Sequence, residues 1–197
     1  MRFTFRCVDP AADAPLLHSW VTRPYASFWG MLASGVDDVE KEYAAIQASG
    51  HHHALLGLDD GIPAFLVEEY LPASSPLATA YPVRPGDAGM HLLVAPPSDA
   101  PVAGFTTAVM DAVLARLFAK PGVDRIVVEP DVRNTRIHAL NKRLGFRPEG
   151  VVALPDKDAL LSFCSREDYL AARALNLLTA PIRLPATSTA MEHHCDH

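Results

Sequence analysis

The chain has 197 residues, of which 49% are hydrophobic, so one domain with one core is expected. The net charge is −6 and no block of Lys and Arg interrupts the acidic balance, which argues against a nucleic-acid or anionic-membrane partner. No apolar run reaches the roughly 18 residues of a transmembrane helix, the N-terminus reads as a strand rather than a signal peptide, and three scattered cysteines favour the reducing cytoplasm.

The first half of the sequence predicts a strand, two helices and a hairpin. The first strand is the alternating stretch RFTFRCV. The first helix is broken at Pro24, and the second is GVDDVEKEYAAIQASG, with an acidic first turn and a glycine stop. Two strands joined by DDG, a strong turn signal, are predicted in HALLGLDDGIPAFLVEEY.

The second half predicts alternating strands and helices after a long Pro-rich loop. In chain order these are the strand MHLLVAPP, the helix VAGFTTAVMDAVLARLFAK, the strand VDRIVVEP, the helix NTRIHALNKRLGF, two strands in FRPEGVVALPDKDALLSFCS and the helix REDYLAARALNLL. Strand–helix–strand crossovers require a partly parallel mixed sheet with helices on its faces. We predict one α/β domain over residues 1–180 and a disordered tail over residues 181–197, where Pro, Thr, Ser and His dominate.

The helix that follows MHLLVAPP predicts an anion site. A helix N-terminus offers free N–H groups and the positive end of the helix dipole, and Gly104 lets a phosphate approach the backbone closely. A plain strand–helix turn is the alternative. Neither GxGxxG nor GxxxxGK[ST] occurs, so the sequence does not support a dinucleotide or Walker site.

The stretch EPDVRNTRIHALNKRLGF resembles the helix that ends in Gly-Phe in GNAT acyl-CoA N-acyltransferases. The resemblance covers about Phe3 to Leu170. It implies a mixed, mostly antiparallel sheet, splayed between its fourth and fifth strands, with helices on both faces. The pantetheine arm of the acyl-CoA would lie in the splay, and backbone N–H groups of the next helix would hold its pyrophosphate.

Four motifs in order, RPYASFWG, GMHLLVAPP, VVEPDVRN and LPDK, resemble a branch of that family that acts in siderophore biosynthesis. Its aerobactin, mycobactin and desferrioxamine enzymes acylate hydroxylamines such as N6-hydroxylysine or N-hydroxycadaverine. The resemblance implies an acetyl- or succinyl-CoA donor and a hydroxamate product used for iron acquisition, and we predict no metal. An aminoglycoside or polyamine acetyltransferase and a catalytically silent CoA-binding module stay open, as does the choice between monomer and homodimer.

The resemblance implies a catalytic pair at the splay, His91 and Asp131, which would also contact the substrate. We predict that Asp131 is the base and orients the substrate, while His91 binds the N-hydroxyl group. Asp131 could instead only cap the following helix, and His91 could be a core histidine. The backbone N–H of Val94 or a neighbour, on a bulged strand, is the expected oxyanion donor.

The residues expected to bind CoA lie on the fourth strand and the two helices beside it: Leu93, Val94, Ala103, Gly104, Phe105, Thr106, Thr107, Asn134 and Asn141. Two of them depart from the family pattern. Ala103 stands where Arg is common and Thr106 where Gly is common, so the hydroxyls of Thr106 and Thr107 would assist the main chain. Asn141 replaces a common Tyr and cannot act as a general acid.

Substrate contacts are further expected from Trp29, Glu68 and Tyr70, with an aromatic core and a solvated edge strand as the alternatives. Glu68 and Tyr70 alternate onto one face of the third strand, where a carboxylate could hold the distal ammonium of a diamine. Histidines at 51–53 and in MEHHCDH at the C-terminus are too far apart in the sequence to predict a structural zinc site.

Overall fold

A seven-stranded sheet forms the centre of the computed structural model, which describes residues 1–96 and 102–179. Its strands are β1 (Phe3–Cys7), β2 (His52–Asp59), β3 (Ile62–Tyr70), β4 (Asp87–Val94), β5 (Arg125–Val128), β6 (Arg147–Ala153) and β7 (Asp158–Ser165). The helices are α1 (Pro10–Val21), α2 (Val36–Ser49), α3 (Phe105–Ala119), α4 (Thr135–Arg143) and α5 (Arg166–Thr179), with short 3₁₀ segments at Pro24–Trp29, Pro72–Ser74 and Pro76–Thr79. The predicted tail lies outside the described residues.

The strands lie in the order β1-β2-β3-β4-β5-β7-β6, and only the β4–β5 pair among them is parallel. That pair is joined from Asp87↔Arg125 to Gly89↔Val127, after which β4 continues alone to Val94. The predicted splay between the fourth and fifth strands is therefore confirmed. The bulge expected in β4 is wrong, because β4 pairs with β3 without a register shift.

Helices cover both faces of the sheet, as predicted. Side chains alternate along each strand, so neighbouring residues enter different cores. One core joins Phe65 and Val67 to α3, and the other joins Leu56 and Leu66 to α1 and α2. None of the helices in the described ranges has the length and apolar composition needed to cross a bilayer.

The DDG hairpin is confirmed as a two-residue turn between β2 and β3. Its two residues, Asp60 and Gly61, have φ angles of 48° and 88°. Positive φ at both central positions matches the twist of antiparallel strands, and Asp-Gly adopts it at little cost. The turn sets the register of the first two pairs, and a bulge between Gly57 and Leu58 then shifts it by one residue, so that Glu68 pairs with Ala54.

A buried carboxylate, Asp87, ties β4 to β5 at the point where they pair. It accepts hydrogen bonds from Arg125 (2.7 and 2.8 Å), from the Tyr81 hydroxyl (3.0 Å) and from the Arg84 backbone N–H (2.9 Å). Burial raises the pKa of Asp87, but these hydrogen bonds and the Arg125 charge lower it more, so the net shift is downward. The pair holds the two strands together just before they separate.

Replacing Asp87 by Asn should lower the free energy of unfolding by about 2 kcal/mol at neutral pH, since charge-assisted hydrogen bonds are lost. A carboxylate whose pKa is lowered in the folded state stabilises the fold at pH values above its unfolded pKa. This stabilisation is lost as the pH falls through the folded pKa. The difference between wild type and Asp87→Asn should therefore shrink below about pH 4. Urea unfolding across this range measures it. The exposed Glu40→Gln on α2 is the control, and a pH-independent difference would contradict the prediction.

Candidate active site

Strand register brings three ionisable side chains into one row at the splay. Glu68 on β3 pairs directly with His91 on β4. The parallel register Gly89↔Val127 between β4 and β5, continued by two residues, puts Glu129 beside His91. The His91 Nδ1 lies 2.9 Å from Glu68 Oε2, and its Nε2 lies 2.6 Å from Glu129 Oε1. His91 is thus held at both ring nitrogens by carboxylates.

Glu129 has further partners on β3 and on the turn between β6 and β7. The Tyr70 hydroxyl donates to Glu129 Oε2 at 2.7 Å, and Lys157 Nζ lies 3.9 Å from Oε1. Glu129 itself is only 5% exposed. The alternation along β3 that directs Glu68 and Tyr70 here sends Glu69 to the opposite face. The alternative of a solvated edge strand is wrong, because β3 is an interior strand with both Glu68 and Tyr70 buried.

The row is charged. Burial lowers the pKa of His91, but Glu129 and Glu68 raise it more, to about 10. Burial raises the pKa of Glu68, yet the imidazoles of His52 and His91 bring it down to about 2. Burial also raises the pKa of Glu129, and the His91 charge and hydrogen bond lower it further than that. At neutral pH an imidazolium therefore lies between two carboxylates.

A cavity of about 270 Å³ opens onto this row. It is lined by His51, His52, Tyr70, Leu71, Ser74, Ser75, Pro76, Leu77, His91, Glu129, Leu154, Asp156 and Lys157. The Pro-rich segment before β4 and the turn between β6 and β7 supply its outer walls. The long Pro-rich loop thus forms one side of a site at the carboxyl end of β5.

Asp131, the predicted base, points to different partners. Its carboxylate accepts two hydrogen bonds from the Arg133 guanidinium (2.8 and 2.6 Å) and one from the Arg133 backbone N–H (2.8 Å). These bonds lower the pKa of Asp131 to about 2. Asn134, not Asp131, caps α4, because its side chain accepts from the Ile137 N–H. The catalytic role of Asp131 stays a prediction, whereas the geometry brings Glu129 to His91.

Sequence reasoning did not single out Glu129. Alternation along β5 gives residues 129 and 131 the same face, and only the parallel register with β4 seen in the structure places residue 129 opposite residue 91. Trp29, a predicted substrate contact, lies near this row, and its ring centroid is 6.3 Å from that of His91. Its indole N–H donates to the Tyr43 hydroxyl at 3.2 Å.

The start of α3 fits a phosphate group. Gly104 is the N-cap with φ of 80°, and a Cβ built there would meet nothing within 4 Å. Ala103, Gly104 and Thr106 are exposed, and Thr107 is half-buried. The first-turn N–H groups of a helix have no partner within the helix. The Phe105 N–H donates to the Val102 carbonyl at 3.1 Å, so the N–H groups and hydroxyls of Thr106 and Thr107 are the ones available to an anion. Phe105 instead packs its ring against Phe3.

The main-chain N–H of Val94, at the end of β4, faces the splay. The Ala95 N–H donates to the Ala64 carbonyl of β3 at 2.9 Å. In an antiparallel ladder the N–H groups alternate in direction, so that of Val94 points away from β3 towards the opening beside β5. Leu93 packs its side chain into the core with α1 and α2, and the same alternation directs its N–H to β3, so its contact with CoA stays a prediction.

Asn141 on α4 is buried, and its Oδ1 atom has no hydrogen-bond partner. It lines a second cavity of about 240 Å³ with His138 and Phe146 among its neighbours. A buried carbonyl oxygen without a hydrogen bond destabilises the fold unless a ligand or a water molecule donates to it. Asn141 is therefore available as an acceptor, in keeping with its predicted contact with CoA.

Residues 9–154 match the acetyltransferase (GNAT) domain family. The chain is 25% identical over 167 residues to the N-hydroxyputrescine acetyltransferase of Acinetobacter baumannii, covering 85% of this chain and 79% of that protein. It is 27% identical over 168 residues to the N(6)-hydroxylysine O-acetyltransferase of Escherichia coli, covering 84% of this chain and 53%, about half, of that protein.

Solved structures agree on the fold. An uncharacterised protein from Bacillus halodurans matches with a TM-score of 0.81 and 29% identity over 87% of this chain and 88% of that one. Aminoglycoside acetyltransferase AAC(6′)-Ib in complex with coenzyme A matches with a TM-score of 0.76 and 24% identity, over 87% and 99%. The splayed sheet, the open start of α3 and the family match agree, and the chain belongs to the GNAT acetyltransferases.

Proposed function

We propose that this acyltransferase moves an acyl group from acyl-CoA to the nitrogen of an N-hydroxylated diamine or lysine, making a hydroxamate for siderophore biosynthesis in the cytoplasm. The observation that carries the proposal is the Glu129 carboxylate, whose Oε1 lies 2.6 Å from His91 Nε2 at the splay. The names of the relatives support the substrate class, since both act on hydroxylated amines, although the E. coli relative is named for transfer to oxygen.

The state of Glu129 favours a weakly basic nucleophile. An alkylammonium has a pKa of about 10.4 and must lose a proton before it can attack. A carboxylate with a lowered pKa is a poor acceptor for that proton. A hydroxylamine is far less basic and is already neutral near pH 7, so Glu129 needs to accept only the proton released as the nitrogen attacks.

The other residues have supporting roles in this proposal. The His91 imidazolium fixes Glu129 and offers positive charge near the N-hydroxyl group, and Tyr70 holds the second oxygen of Glu129. The Val94 N–H would donate to the oxyanion of the tetrahedral intermediate. The first turn of α3 would bind the pyrophosphate of acetyl- or succinyl-CoA.

Thiol release from acetyl-CoA should be at least about tenfold more efficient with N-hydroxycadaverine or N6-hydroxylysine than with cadaverine or lysine. Kanamycin and spermidine serve as the competing substrate classes, and succinyl-CoA as the second donor. A ferric-ion colour test identifies the hydroxamate, because an O-acylated product does not chelate iron in that way. Equal efficiency with the parent amines, or turnover confined to kanamycin or spermidine, would contradict the proposal.

A further inference from the structure

A second cluster of ligating atoms lies on the outer side of His91, beyond the pairing with Glu129. His52 on β2, Glu68 on β3 and His91 on β4 each direct one nitrogen or oxygen to a common point, and these atoms all lie within 4.8 Å of one another. Glu68 Oε2 is 2.9 Å from His91 Nδ1 and 3.4 Å from His52 Nε2. Glu68 is buried, and both histidines are partly exposed at the cavity.

Two details distinguish this cluster from an ordinary ion pair. The His52 Nε2 atom is buried and makes no hydrogen bond, which leaves a ligating lone pair or a donor unsatisfied. The other ring nitrogen of His91 faces the carboxylate of Glu129 at 2.6 Å. A histidine whose second nitrogen is held by a carboxylate is the usual arrangement around zinc, because that carboxylate fixes the ring orientation and strengthens the ligand.

We propose that His52 Nε2, Glu68 Oε2 and His91 Nδ1 form a binding site for a single Zn²⁺ ion. Tetrahedral zinc with ligands at about 2.0–2.2 Å places its donor atoms about 3.4 Å apart. The Glu68 oxygen lies 2.9 and 3.4 Å from the two imidazole nitrogens, and all three atoms lie within 4.8 Å of one another. Two imidazoles and one carboxylate also suit zinc better than they suit Mg²⁺ or Ca²⁺. Binding displaces the proton on His91 Nδ1, while the N–H at Nε2 continues to donate to Glu129.

Zinc at this point would inhibit acyl transfer, an inference that rests on the proposed function. It would bind Glu68 as a ligand and convert the His91 imidazolium to a neutral imidazole, which changes the charge beside Glu129. Three protein ligands leave a fourth position open to the cavity, which a water or the substrate could fill. The site would therefore act as a control point on the proposed acyltransferase.

Calorimetric titration of Zn²⁺ into the chelator-treated full chain tests the site. The C-terminal His193, His194, Cys195 and His197 would also bind zinc, so the titration uses a full-length background in which these four residues are changed to Ala or Ser. One zinc per chain is expected. His52→Ala should weaken binding at least tenfold, and Co²⁺ in place of Zn²⁺ should give the visible absorption of a four-coordinate nitrogen–oxygen site.

His53→Ala is the matched control, because His53 is the next residue on β2, is exposed and pairs opposite Glu69. It should leave the zinc affinity unchanged. Absence of zinc binding in the background protein, or an equal affinity in His52→Ala, would overturn the site. These binding measurements contain no substrate, so they remain decisive if the proposed function fails. Full activity in a chelator and its loss with one equivalent of zinc would support the inhibitory role, and unchanged activity with bound zinc would overturn it.

Discussion

Binding of CoA should weaken at least about a hundredfold in Gly104→Asp. Gly104 is the N-cap of α3, with a φ of 80° and open space around it. A carboxylate introduced there would occupy the approach to the first-turn N–H groups and would repel the pyrophosphate at the positive end of the helix dipole. Calorimetric titration with CoA measures the loss.

Gly122→Asp provides a matched control for this change. Gly122 follows the other end of α3, has a φ of 78° and also has nothing within 4 Å of an added Cβ. The two variants therefore carry the same charge and nearly the same backbone strain. Gly122→Asp should bind CoA as wild type does. Unchanged affinity in Gly104→Asp, or an equal loss in both variants, would contradict the placement of the pyrophosphate.

Most of the fold could be predicted from the sequence because the elements carry strong local signals. The hairpin at Asp60-Gly61 and the helix stop at Gly145 are dictated by backbone conformations that glycine and Asp adopt. The apolar spacing of Phe105, Val109 and Val113 marks α3. The position of the splay followed from the family resemblance, since nothing local in β4 or β5 says where their pairing ends.

The site could be predicted only in part. The structure brings His91 together with Glu68 and Tyr70. The sequence shows which residues share a face of β3 or of β4, because side chains alternate along a strand. The partner of His91 could not be read from spacing alone, since the motif EPD offers two carboxylates two residues apart. Glu129 continues the strand direction, whereas Asp131, which is still bridged to Ala159 of β7, turns its carboxylate to Arg133.

Turnover should fall at least about a hundredfold in Glu129→Gln, the usual size of a general-base contribution. Gln keeps the shape of Glu129 and can still accept a hydrogen bond from Tyr70, but it cannot take a proton. Binding of CoA should persist, because the start of α3 is on a different element. The loss should appear in kcat, since the base acts in the transition state rather than in substrate binding.

Asp131→Asn is the natural comparison, because this residue is the other carboxylate of the same motif. Its partner, the Arg133 guanidinium, is 76% exposed, so water can replace the lost charge pairing. Asn also accepts the backbone N–H of Arg133 as Asp does. We expect kcat within about threefold of wild type, a change well below a general-base effect.

The most direct test of the active centre is therefore kcat of Glu129→Gln and Asp131→Asn, measured side by side with acetyl-CoA and N-hydroxycadaverine at neutral pH. The arrangement of Glu129 against His91 predicts a loss of at least about a hundredfold in the first variant and near-normal turnover in the second. Near-normal turnover in Glu129→Gln, together with a collapse in Asp131→Asn, would contradict it and would return the base to Asp131.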